Sequence, residues 1–273
     1  ETIAAFCERA NITLVFVIPP GNDAGFEPNR SILPPATTRD QREEFARLVT
    51  EARRLESTDS PARCIERYRK LITRQPGFAE IHFRLARLLQ RVGDSEGACR
   101  SYCRARDLDG HPMRCPSEFQ DVYREIARRY SVILVDGPGV LRARSESGQL
   151  DDQYFNDAFH PSFEGQVILA QAILAGMKSS QAFGWNDRAP QPKIDPVECA
   201  RHFDVTRVAW KSAADFAAGF YEITMPIRFD PLERRLKHER YAQVVRNLAS
   251  GCDAETLYCP GIGVTPVFDR LKP

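Results

Sequence analysis

Asp157 and His160 lie three positions apart in FNDAFHPSFEGQ (155–166). Neutral imidazole takes a proton from a hydroxyl only if its other ring nitrogen is held in the right tautomer, usually by a carboxylate. A D-x-x-H turn can supply both groups from one loop. Here Pro161 fixes the exit of that loop and the apolar helical pattern starting at Phe163 anchors it. The plainer reading makes Asp157 a turn cap and His160 an exposed residue. The longer pattern, D-x-x-H-P-x-x-x-G after a strand ending at Asp136, is more specific than DxxH alone. Such a pair calls for a nucleophile.

Two serines invite that role. Ser95, in GDSEG (93–97), follows RLARLLQRV, whose leucines and charges alternate at helical period. A catalytic serine needs a strand-to-helix turn, so the Gly93-Asp94 pair is better read as a turn between helices. Ser162 neighbours His160 but lies on the wrong side of the loop for its base. No serine follows an expected strand. PGND (20–23) resembles the GxND signature that supplies an oxyanion-hole asparagine, but Pro20 stands where the first glycine should be.

The elements that must position this loop are legible from periodicity. ETIAAFCERAN (1–11) reads as a helix with Ile3, Phe6 and Ala10 on one face. ITLVFVI (12–18) reads as a parallel strand buried on both faces. Residues 19–35 are too rich in Pro, Gly and Asn for regular structure and form a loop. Helical sequence fills most of 38–108, SVILVD (131–136) is a second strand, and 163–177 is a helix carrying Phe163, Val167, Leu169–Ala170, Ile173–Leu174 and Met177 near a common face.

Within the helical middle, residues 79–110 align without gaps to the tetratricopeptide pattern: Leu85, Ala86, Leu89, Gly93-Asp94, Ala98, Tyr102 and Ala105. Residues 60–76 repeat its second helix with Tyr68 and Pro76, while the preceding first helix (about 43–57) is poor. His82 is a packing residue in this reading. One and a half to two units fall short of the roughly three that usually stand alone, so they should lean on the α/β body as an insertion.

After FGWNDRAPQPKIDP (183–196), a linker-like stretch, two or three helical patterns follow. Cys199, Phe203, Val208, Trp210 and Phe216 recur at helical spacing, Pro231 starts a helix, and the arginine run after it reads as a solvated face. His202 and His238 lack partner patterns, and His111 sits in a DGHP turn.

Near-neutral net charge (+1) gives no electrostatic case for nucleic acid or an anionic membrane, and no apolar run reaches the length of a span. None of the eight cysteines forms a CxxC or a zinc-ligand spacing; they read as small buried thiols. The chain opens on Glu1 and enters helical sequence at once, so it reads as a piece of a longer protein, with any targeting segment upstream. The compartment is not readable.

VIPPGND with its proline-rich loop, the repeat insertion, DLDGHPMR (107–114) and VD…NDAFHPSFEG together resemble the SGNH/GDSL hydrolases. More narrowly, they resemble bacterial, planctomycete-type members carrying a tetratricopeptide insertion. That resemblance covers residues 1–178. It implies a three-layer α/β/α fold, here partial and holding the last parallel strands, with an α-helical insertion and a helical C-terminal tail. The expected division is 1–36 and 111–180 for the hydrolase-like parts, 37–110 for the insertion and 181–273 for the extension. It also implies His160 as general base, Asp157 as its orienting acid, and Asn22 and Arg114 as loop residues near the mouth, Arg114 either holding a substrate oxygen or pinning the loop. No cofactor or metal is required. The family's serine, glycine and asparagine blocks precede the strand matching ITLVFVI, so the nucleophile is expected upstream of residue 1 and the fragment alone is expected to be inactive. The substrate class is a small-molecule or carbohydrate ester, with a protein partner through the insertion. The alternative function is a tetratricopeptide-bearing binding scaffold with an inactive hydrolase-like domain.

Overall fold

The computed structural model describes residues 1–181, 184, 198–199, 202–203 and 206–250. Two short strands, β1 (Leu14–Val17) and β2 (Val132–Val135), pair in parallel in the register Leu14↔Val132 to Val17↔Val135. The β-branched and aromatic runs of the sequence are therefore strands, trimmed at each end. Their residues are half-buried rather than fully buried, apart from Val135. Among the described residues each strand has one edge without a strand neighbour, and that edge adds to the exposure of its residues.

α1 (Thr2–Arg9) precedes β1. Its expected apolar face is turned outward: Ile3 and Phe6 are 65% and 56% exposed, whereas Ala4 and Cys7 are buried. The small residues allow close approach to the body. Glu1, paired with Arg129, ties the helix to the residues before β2.

Between the strands run α2 (Arg39–Leu55), α3 (Pro61–Arg74), α4 (Ala79–Arg91), α5 (Ser95–Asp107) and α6 (Ser117–Arg129). Three of these helices have side-chain caps at their starts. Thr38 and Gln41 form a capping box, Ser60 caps α3 ahead of Pro61, and Asp94 accepts from Gly97 N–H at 2.8 Å. α2 through α5 pack in succession around one core that includes Tyr68, Leu85, Ala86, Leu89, Ala98, Tyr102 and Ala105. These helical positions of the repeat pattern are all buried. His82 is buried too, with Nε2 2.9 Å from the Pro76 carbonyl. The helix whose repeat pattern is poor, 43–57, forms because Phe45, Val49 and Ala52 fall on one buried face.

After β2 come α7 (Gly137–Arg144) and α8 (Phe163–Ser179). α8 packs on the sheet through Gly176, beside Ile133 and Val135. Val167 and Ile168 are its buried apolar residues, while Ala170 is exposed, so the common face lies slightly round from the expected one.

The extension contributes α9 (Arg207–Thr224), a short 3-10 turn and α10 (Leu232–Ala249). Phe203, Val208 and Phe216, expected to be core, are exposed; Trp210, Ala214, Ala217, Ala218 and Tyr221 form the buried face instead. The arginine run is not simply a solvated face either. Arg234 is fully buried, donating to Asn29 Oδ1 (2.6 Å) and to the carbonyls of Thr224 and Glu27, with its guanidinium 4.1 Å from the centre of the Phe26 ring. The linker-like residues lie, but for Gly184, outside the described part. Cys7 and Cys64 are buried, but Cys99, Cys103, Cys115 and Cys199 are only half-covered, and none of these six is in a disulfide. No described helix is long and apolar enough to cross a membrane.

Candidate active site

The D-x-x-H loop is a tight hairpin. Phe155 bridges Pro161, Asn156 N–H donates to the His160 carbonyl (3.0 Å), and Ser162 N–H donates to the Tyr154 carbonyl (2.7 Å). Asp157 lies at its turn, fully buried. One carboxylate oxygen, Oδ1, accepts the backbone N–H groups of Phe159 and His160, each at 2.9 Å. The other, Oδ2, lies 2.7 Å from His160 Nδ1. The carboxylate is thus both the turn cap and the imidazole partner; the two readings of the sequence describe its two oxygens. An ionised carboxylate can only accept, so Nδ1 carries the proton and Nε2 is left as the acceptor. Nε2 has no partner among the described residues, and the His160 side chain is 47% exposed.

Gly165 completes the motif for a steric reason. A Cβ there would stand 2.6 Å from the Tyr154 carbonyl oxygen, so the helix could not close on the hairpin. Ser162 is the N-cap of α8: its hydroxyl donates to the Gln153 carbonyl and accepts Gly165 N–H. It is spent on structure. Ser95 is the first residue of α5, after Gly93 (φ +83°) turns the chain between α4 and α5. GDSEG also spells G-x-S-x-G, but the elbow chemistry requires a strand before the turn and here a helix precedes it.

The loop after β1 meets this hairpin directly. Asn22 N–H donates to the Ala158 carbonyl (2.9 Å), and Asn22 Nδ2 donates to the Asp157 carbonyl (2.9 Å) and to Asp152 Oδ1 (2.8 Å). Arg114 Nη1 donates to the carbonyls of Asn22 (3.1 Å) and Phe26 (2.6 Å). Both side chains are buried beneath the surface, Asn22 latching two loops and Arg114 pinning one of them. Burial also pulls the Arg114 guanidinium below its ordinary pKa, against the attraction of Asp23 and Asp109.

A residue of the extension completes the surroundings of His160. The imidazole sits 4.2 Å from the Phe159 ring and 5.3 Å, edge to face, from the Phe216 ring. Phe159 in turn meets Phe220 at 5.9 Å. Helix α9 reaches this position because its alanines let it press onto Ala158 and Phe26. Phe216, in AADFAAGF, lies off the buried face of α9, whereas its spacing in the sequence groups it with Trp210 as core. His111 holds a structural place through its carbonyl, which accepts from Asn29 Nδ2 (2.7 Å). His238 Nδ1 lies 3.0 Å from the Ala218 carbonyl. No group of three or more metal-ligating side chains comes together among the described residues.

The site so defined is a carboxylate–imidazole couple at the carboxyl end of a parallel strand pair in a mostly helical protein. In comparisons with known proteins, no family model, curated protein or solved structure matches this chain.

Proposed function

We propose that the protein is a serine-type ester hydrolase of the SGNH/GDSL kind. His160 is the general base, Asp157 orients it, and a serine outside residues 1–273 is the nucleophile. One observation carries the reading: Asp157 Oδ2 stands 2.7 Å from His160 Nδ1 while Nε2 is unpartnered among the described residues on a half-exposed ring. The serine hydroxyl attacks the acyl carbonyl as Nε2 takes its proton, and the same proton passes to the departing alkoxide. A water molecule then repeats the sequence on the acyl-enzyme, regenerating the serine. The charge that develops on the imidazole is offset by the buried Asp157 carboxylate. The substrate is an ester of a small molecule or carbohydrate.

The packing of α2 through α5 around one core that holds the repeat positions Tyr68, Leu85, Ala86, Leu89, Ala98, Tyr102 and Ala105 supports a second reading, a tetratricopeptide-bearing scaffold with an inactive hydrolase-like domain. Hydrolysis of activated acyl esters by the intact protein separates them. His160→Ala should remove the activity, together with labelling of a serine by a fluorophosphonate. Equal rates for wild type and variant would refute the hydrolase.

A further inference from the structure

A cavity of about 370 Å³ lies where α2, the loop after β1 and the turn between α9 and α10 meet. That size falls within the roughly 300–1,000 Å³ of small-molecule pockets. The cavity shares no residue with the His160 loop, so ligand binding in it is independent of the hydrolase reading. Leu33, Phe45, Val49, Phe78 and Ile227 give it an apolar wall, and Phe229, 95% exposed, stands at its edge.

The charges around this apolar hollow do not balance. Four arginines line it (Arg30, Arg42, Arg53, Arg228) against two carboxylates, Glu80 and Asp230. Both carboxylates are already engaged: Asp230 pairs with Arg53, and Glu80 Oε2 lies 3.0 Å from Arg228 Nη2. Among the described residues Arg42 donates only to carbonyl oxygens, those of Thr37 (3.0 Å) and Pro34 (3.2 Å). The Arg30 guanidinium has no side-chain partner among the described residues. Two guanidinium groups without a counter-charge therefore flank a hydrocarbon wall. A neutral lipid would leave both cations unanswered, and a bare inorganic anion would leave the wall uncovered.

We propose that this cavity binds a medium-chain carboxylate, with its hydrocarbon against Phe45, Val49 and Phe78 and its carboxylate between Arg30 and Arg42. Arginine suits that head group because its planar donors match both carboxylate oxygens.

Calorimetric titration of the full chain with sodium octanoate and, separately, with 1-octanol tests this. Wild type should bind octanoate. Replacing both arginines (Arg30→Ala with Arg42→Ala) should weaken octanoate by about tenfold or more, the scale of a lost charge-assisted hydrogen bond, and leave 1-octanol unchanged. Both arginines are exposed, so the variant should keep its wild-type melting temperature. Ala46→Trp, on the exposed surface of α2 at the cavity lining, should fill the space and abolish binding of both ligands. The proposal is overturned if octanoate does not bind at millimolar concentration, if the arginine variant binds it as wild type does, or if Ala46→Trp changes neither ligand.

Discussion

Asp157 grips His160 at two points: Oδ1 accepts its backbone N–H at 2.9 Å and Oδ2 faces its Nδ1 at 2.7 Å. A single buried carboxylate therefore sets both the path of the turn and the tautomer of the ring. Its three hydrogen bonds offset the cost of burying the carboxylate completely.

Asp157→Asn keeps an acceptor for the two backbone N–H groups but offers Nδ1 an ambiguous partner. In the intact protein we expect kcat on an activated ester to fall by about 10³–10⁴-fold, the scale seen when a triad carboxylate is lost, with KM nearly unchanged. Steady-state kinetics check this; an unchanged kcat would mean that the couple plays no part in turnover.

Phe216→Ala removes the ring lying edge-on to His160. Phe216 is 59% exposed, so stability should change by no more than about 0.5 kcal/mol. An aromatic contact is worth about 0.5–1.5 kcal/mol, so kcat should drop roughly threefold to tenfold through looser ring placement. A large fall in melting temperature with kcat intact would assign Phe216 to packing instead.

Glu80 joins α4 to the turn between α9 and α10, with Arg84 at 2.8 Å and Arg228 at 3.0 Å. Burial alone would raise its pKa, but Arg228 and Arg84 outweigh that and hold it below the ordinary carboxylate range. With a folded value below the unfolded one of about 4.3, the stabilisation is complete above that pH and is lost as pH falls through the folded value. Glu80→Gln should thus cost about 3 kcal/mol at pH 7, the scale of breaking one side of a buried pair. Thermal melts should show the two proteins converging in acid; a constant difference at every pH would contradict this.

Cys99 and Cys103 lie one turn apart on α5, with Arg142 Nη2 3.4 Å from Cys103 Sγ. The neighbouring Cys103 thiol and the Arg142 guanidinium lower the Cys99 pKa against the effect of burial, while Cys103, with Sγ 3.9 Å from Asp23 Oδ2, is driven upward. Iodoacetamide should modify Cys99 ahead of Cys115, whose thiol burial pushes up. The rate should reach half its plateau below the ordinary thiol range, and Arg142→Ala should move that midpoint higher. Peptide mass spectrometry at several pH values reads the order; equal labelling of Cys99 and Cys115 at neutral pH would disprove it.

What the sequence determined by itself is local. The D-x-x-H turn closes over three residues, Thr38, Ser60 and Asp94 cap the helices that follow them, and Cys64, Tyr68 and Leu71 fall on one face of α3 because 3.6 residues make a turn. Each of these is decided by atoms a few bonds or one helical turn apart. The tertiary structure decided what depends on distant chain. Asn22 meets Asp157 across 135 positions and Arg234 meets Asn29 across 205, and no period in the sequence encodes either contact. The same holds for which face of a helix turns inward. In α1 Ala4 and Cys7 are buried and Phe6 is left outside; in α9 Ala214, Ala217 and Ala218 are buried beside Trp210 and Tyr221, and Phe216 is left outside. That choice placed Phe216 against His160 and made an extension with no chemical motif of its own part of the site.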